Sequence, residues 1–153
     1  MAEHFAYRPL GVTAKRRLSR ADTGWLVEDS VHSDSNAVRT ARINWLFPEA
    51  PEELLIEYGR IRARFAGFSL LLGVEGERVL GIGATLLRAG KVFREIGAVR
   101  PIPRETAALM GWFSPVYATL LPAVSLVFTV AANGRFTLRS DFRLDVPPRR
   151  ENG

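Results

Sequence analysis

The sequence predicts an α+β fold: a single curved, mostly antiparallel sheet of six to eight strands packed on two helical segments. Three observations point there. Several stretches alternate apolar and polar residues with period two. One stretch, Pro51 to Ala66, carries apolar residues at helical spacing. A long neutral run, Thr106 to Gly134, is broken by prolines and a turn. With 153 residues, 47% hydrophobic and 24% charged, the chain has the balance of one folded domain. Residues 1–148 are expected to form that domain and 149–153 a C-terminal tail.

The first third reads as a three-stranded meander. Leu10, Val12, Ala14 and Leu18 share one parity, and Lys15 and Arg17 take the other, which gives a strand with one wet face. Gly24 to Val31 is a second, shorter strand, and "HSDSN" supplies turn residues. In the third, Ile43, Trp45 and Phe47 alternate against Arg42, Asn44 and Leu46.

"PEAPEELLIEYGRIRARFAG" has the pattern of a helix. Pro51 suits the first helical position, and Glu52, Glu53 and Glu57 lie toward the positive end of the dipole. Leu54, Tyr58, Ile61 and Phe65 make one apolar stripe, and Gly67 is placed to end it. Three strands follow, "FSLLLGV", "VLGIGATLLR" and "KVFREIGAV", and then "RPIPRE", where each proline biases its predecessor away from helix.

The second helical segment begins at Glu105. Leu109, Trp112, Phe113, Val116, Tyr117, Leu120 and Leu121 recur at helical spacing, and Pro115 would clash inside one continuous helix. Two short helices resolve the clash, with Ser114 capping the second and Pro115 at its first position. A strand then leads into a hairpin. Only a three-residue loop, Ala132-Asn133-Gly134, keeps Val124, Leu126, Phe128 and Val130 on one face with Phe136 and Leu138, so Gly134 is expected left-handed at a bulge. A membrane span needs about 20 uninterrupted apolar residues. Pro115, Pro122 and the turn interrupt this run, so no membrane span is predicted.

Composition excludes several chemistries. Without cysteine there is no disulfide scaffold, zinc–thiolate cluster or cysteine nucleophile, and His4 and His32 are too few for a multi-histidine metal site. No cofactor is expected. "GIGATLLRAG" begins like a dinucleotide loop but has Leu86 at the third glycine position. The start "MAEHFAYRPLG" lacks the pattern of a secretory signal, so a cytoplasmic location is expected. The net charge of +5 comes from 19 Arg and 2 Lys against 16 acidic residues. Its densest run, "AKRRLSR", has no interleaved aromatics, and alternation accounts for it as a solvated strand face rather than a nucleic-acid interface.

Candidate functional residues fall into three groups. Glu95, beside Ile96 and near Phe93, is the one acid–base candidate if the protein is an enzyme, with a salt bridge to a neighbouring Arg as its structural alternative. Trp25, Trp45, Trp112, Tyr58 and Tyr117 could line a ligand pocket or be ordinary core. Ala107, Ala108, Gly111 and Ala118 make an uncharged outward helical side that suits a homodimer or protein-partner interface. Asp141 lies among Arg139 and Arg143 on a wet face, and His32 belongs to a turn.

The stretch from Glu105 to Asp145, ending in "SLVFTVAANGRFTLRSDFRLD", resembles the C-terminal half of the YezG-like immunity proteins of bacterial polymorphic toxin systems. In that family a helix leads into a strand, a glycine-centred turn and a strand ending in an acidic-aromatic motif; "AANGRFTLRSDFRLD" holds the matching place. The resemblance implies a non-enzymatic interaction protein that neutralises a partner. The alternative is a small-molecule-binding α+β cup acting as a simple isomerase, cyclase or hydrolase.

Overall fold

The computed structural model describes residues 2–4, 8–97 and 100–145; the expected tail, 149–153, lies outside them. The described residues form β1 (Ala2–His4), β2 (Val12–Ala21), β3 (Gly24–Ser33), β4 (Arg39–Phe47), β5 (Glu53–Glu57), β6 (Arg60–Phe65), β7 (Phe68–Arg88) and β8 (Lys91–Gly97). A short helix α1 (Arg104–Ala108) follows, then β9 (Trp112–Phe113), β10 (Leu121–Pro122) and β11 (Val124–Leu144). Helix is confined to the five residues of α1 and a 3-10 turn at Arg8–Leu10 among the described residues. The α+β expectation with two helical segments is therefore overturned: the fold is sheet-dominated. No helix among the described residues is long and apolar enough to cross a membrane.

β11 is the spine of the sheet. One edge pairs antiparallel with β7 over nearly its whole length. The other edge takes two strands in succession, β4 along Val124–Ala132 and β3 along Arg135–Arg143. β7 divides its far edge in the same way, between β6 at Phe68–Leu72 and β8 at Gly83–Arg88. Two arms result. One runs β1-β2-β3-β11-β7-β6-β5, and in the other β4 and β8 flank the remaining halves of β11 and β7.

Both long strands are irregular where the arms meet. Ala131 pairs with Gly81 but Ala132 with Val79, so Leu80 is an extra residue on β7. Asn133 pairs with Arg78 and Phe136 with Gly76, which puts one extra residue on β11, and Gly134 there has φ +68°. The two additions cancel. Leu70, Leu72, Ala84 and Leu86 of β7, and Leu126, Phe128, Phe136 and Leu138 of β11, are all buried on even positions.

At this crease the arms fold toward each other. Phe47, in register with Val124, lies 5.8 Å from Phe68, in register with Leu144. Opposite ends of β11 thus meet across one core, where Phe65 stacks on Phe68 at 4.5 Å and touches Phe47 at 4.4 Å. The outer face of the β4 arm is covered as well. Ile102, Ala107 and Met110 pack on Val127 and Leu87, Arg42 donates to the carbonyls of Arg100 and Pro101 at 3.2 Å, and Gly111 N–H donates to Ser125 Oγ at 2.9 Å. Burial on both faces is why "SLVFTV" is apolar almost without alternation.

Five sequence expectations change. "FSLLLGV" and "VLGIGATLLR", expected as separate strands, are one continuous strand, β7, because the glycine between them, Gly76, sits in a bulged ladder and not in a turn. The helix over Pro51–Ala66 is the β5–β6 hairpin: Arg60, Arg62 and Arg64 alternate with buried Ile61, Ala63 and Phe65, a period-two signal that outweighs the helical stripe. Arg62 bridges Glu53 at 3.7 Å and Glu57 at 3.2 Å on the solvated face, where such pairs contribute little. The two helices after Glu105 reduce to α1 and a loop closed by the β9–β10 bridge, with Gly111 and Ala118 at positive φ. The hairpin around Asn133 is one strand that continues through a bulge, with Gly134 left-handed. The meander loses its third member, because β4 joins β11 and not β3.

Tyr58 and Gly59 turn the β5–β6 hairpin with φ +48° and +71°, the left-handed pair of a type I′ turn. A bulky aromatic residue is poorly suited to its half of that turn. Tyr58→Asn should therefore stabilise the protein by a few tenths to about 1 kcal/mol, read as a rise in thermal midpoint. In a helix over the same residues the substitution would gain nothing, so an unchanged or lowered midpoint argues against this turn.

Candidate functional site

The inner face of the β3 arm is apolar where it approaches β4. Strand pairing puts Trp25 of β3 opposite Phe142 of β11, and Leu18 of β2 opposite Val27 of β3. The fold at the crease brings Trp45 of β4 over them. The result is a pocket of about 410 Å³ lined by Leu18, Gly24, Trp25, Val27, Trp45, Phe68, Phe142, Leu144 and part of Arg143. Its size lies within the range of small-molecule sites.

Trp45 is held from three directions. Its indole N–H donates to Ser140 Oγ at 3.0 Å, which satisfies the polar edge of a part-buried ring. Phe142 meets it edge-on, with centroids 5.0 Å apart at 88°. The Arg16 guanidinium lies 5.5 Å from its ring centroid, within cation–π range. Arg16 is itself fixed by Asp29, donating from Nε at 2.6 Å and from a terminal nitrogen at 2.9 Å. The hydrogen bond to Asp29 holds the Arg16 pKa above its ordinary value against an opposing contribution from burial. A raised cationic pKa adds stability that is complete below the unfolded value and is lost only above it. The arginine stays charged over Trp45 throughout the neutral range. Trp25 stands at the lip, half exposed.

The opposite face of the same arm is charged. Arg139 donates to Glu75 at 2.9 Å and lies 3.7 Å from Glu28, and Arg143 pairs with Asp141 of its own strand, two residues away, at 2.6 Å. A second, smaller cavity of about 150 Å³ lies among these groups and Arg60. The hydrogen bonds to Glu75 and Asp141 raise the pKa of Arg139 and Arg143 above their ordinary values.

Two of the five aromatic candidates, Trp25 and Trp45, meet in the pocket. The other three do not. Tyr58 projects from its turn and Tyr117 from the loop after β9, both fully exposed, and Trp112 donates its indole N–H to the Ala108 carbonyl at 3.2 Å. Glu95 lies on β8, exposed and in register with Thr85, and is not among the pocket residues; this placement removes it as a buried base. Ala107 and Gly111 are buried, while Ala108 and Ala118 are exposed, so the uncharged helical side expected of these four does not exist as one surface. The basic run on β2 is likewise divided, with Arg16 turned inward to Asp29 and Leu18 lining the pocket. His32 is at the end of β3, 3.3 Å from Asp34. Among the described residues no group of three or more acidic or histidine side chains could hold a metal.

Sequence reasoning missed Phe68, Phe142 and Leu18. Phe142 carried a usable signal, its shared even parity with Phe136 and Leu138. Phe68 and Leu18 carried none, because their place depends on how the arms fold. No protein-family model, curated protein or solved structure matches this chain.

Proposed function

We propose that the protein binds a small apolar ligand in the pocket between the arms of its sheet, without turning it over. The observation that carries this reading is the convergence of Trp25, Trp45, Phe68 and Phe142, from four different strands, on about 410 Å³ of apolar space. Trp45 is anchored by Ser140, Phe142 and Arg16 and so is preorganised; a rigid aromatic wall loses little entropy when a ligand arrives. None of the lining side chains is a carboxylate, histidine, hydroxyl or amine, which favours binding over acid–base catalysis. The partner-neutralising reading drew on missing catalytic constellations, on an uncharged helical side and on the YezG-like resemblance; the residues of that resemblance are α1, a loop and one continuous strand, which gives it less support than the pocket has.

Titration with the neutral dye Nile red, followed by quenching of tryptophan emission, tests this. Saturable binding is expected. Trp25→Ala at the exposed lip should weaken it about tenfold, roughly 1.4 kcal/mol, with little change in thermal midpoint. Absence of saturable binding, or equal affinity in Trp25→Ala and the parent, would sink the proposal.

A further inference from the structure

The loop between α1 and β11 is built unlike the rest of the surface. Leu109, Phe113, Val116, Tyr117, Leu120 and Leu121 all stand in solvent, Leu109 at 82% and Tyr117 at 100% exposure. No charged residue occurs anywhere from Thr106 to Gly134. The loop is nevertheless firmly rooted. Gly111 accepts from Ala89 N–H at 3.0 Å and Ala123 N–H at 2.9 Å, and Met110 accepts from Gly90 N–H at 2.8 Å. The β9–β10 bridge, Trp112 to Pro122 and Phe113 to Leu121, closes its neck.

Its root is basic. The β7–β8 turn to which it is bonded is flanked by exposed Arg88 and Lys91, and α1 opens on exposed Arg104 with Glu105 beside it as the one carboxylate of these two segments. We propose that this loop docks the protein onto an anionic lipid surface. The apolar tip enters the boundary between headgroups and acyl chains, Phe113 and Tyr117 sit at interfacial depth, and the basic collar faces the negative headgroups. Exposed apolar patches of this kind mark contact surfaces, and the collar selects among them. In a homodimer joined tip to tip the two collars would be brought together with like charge, whereas an anionic bilayer offers the opposite charge around an apolar interior. The inference rests on the loop alone and is independent of the pocket, although register places both at the same end of the folded sheet.

Co-sedimentation of the full chain with phosphatidylcholine vesicles, with and without about 30 mol% phosphatidylserine, tests it. Binding is expected to the anionic vesicles, at least tenfold weaker to neutral ones and weakened again by about 0.5 M salt. The double variant Leu120→Asp, Leu121→Asp should lose at least tenfold in vesicle affinity with its thermal midpoint retained, since both side chains are exposed. Arg88→Glu with Lys91→Glu should remove the preference for anionic vesicles. Failure to bind anionic vesicles overturns the proposal. So does equal binding to both vesicle types, or a dimer in sedimentation velocity that the double aspartate variant dissolves while vesicle binding is nil.

Discussion

Replacing Phe128 by alanine should lower the unfolding free energy by about 3–5 kcal/mol, a large fraction of what holds a domain of this size together. Phe128 has no solvent exposure and sits midway along the doubly covered half of β11, in register with Ile43 on one side and Ala84 on the other. Three bonded strands cannot close around the missing ring, because each is fixed by ladder hydrogen bonds to the next. The void would remain, and voids in rigid surroundings are the costly kind. Urea unfolding of the parent and the variant measures the difference directly. Phe128→Leu, which keeps most of the volume, should lose far less. A loss below about 1 kcal/mol for the alanine would mean that the arms are not packed on one core.

Gly24→Ala should be nearly as damaging, for a reason unrelated to hydrophobicity. A Cβ at Gly24 would lie 1.8 Å from the Phe142 carbonyl oxygen and 2.8 Å from its carbon, so β3 and β11 cannot keep their present spacing at this point. Both neighbours are backbone, and neither can rotate aside as a side chain could. Forced separation of this kind costs about 1–3 kcal/mol or more. It also moves Trp25 and Phe142, which line the pocket with Gly24. The variant should therefore lose stability and at least tenfold in Nile red affinity together, roughly 1.4 kcal/mol of binding. Trp25→Ala should lose affinity alone. A Gly24→Ala protein with full stability and full affinity would contradict the β3–β11 contact.

Much of this architecture was legible in local patterning. β2 and β4 follow alternation that can be read residue by residue, β8 follows from its length and the turn-like breaks around it, and the left-handed Gly134 follows from the parity of Val130 and Phe136. Two kinds of information were not local. In β5–β6, the spacing Leu54, Tyr58, Ile61, Phe65 satisfies a helix, while the alternation of Arg60, Arg62 and Arg64 satisfies a strand; two left-handed residues at Tyr58 and Gly59 decide between them. In β7 and β11, glycines and "NG" looked like chain reversals because turns and bulges draw on the same residues. The pocket was half legible. Trp25 and Trp45 could be named from residue type, but their meeting with Phe68 and Phe142 depends on a crease in two long strands, and no short window of sequence encodes that. The neutral run after Thr106 divides in a way that its composition does not show. Its second half is interior, whereas its first half is mostly surface apart from Ala107, Met110 and Gly111.

β11 follows in the chain every strand it joins. While the polypeptide is being made, β3, β4 and β7 each present an unsatisfied edge until the segment that bridges them appears. From Gly24 to Leu144 the ribosome needs roughly 6–24 s at about 5–20 residues per second, against microseconds for a local hairpin to close. The β2–β3 and β5–β6–β7–β8 pairings are local and can close before β11 is made, whereas every contact of β11 is long-range. The sheet as a whole cannot be completed until this last long strand has been made, since it alone joins β3 and β4 to β7.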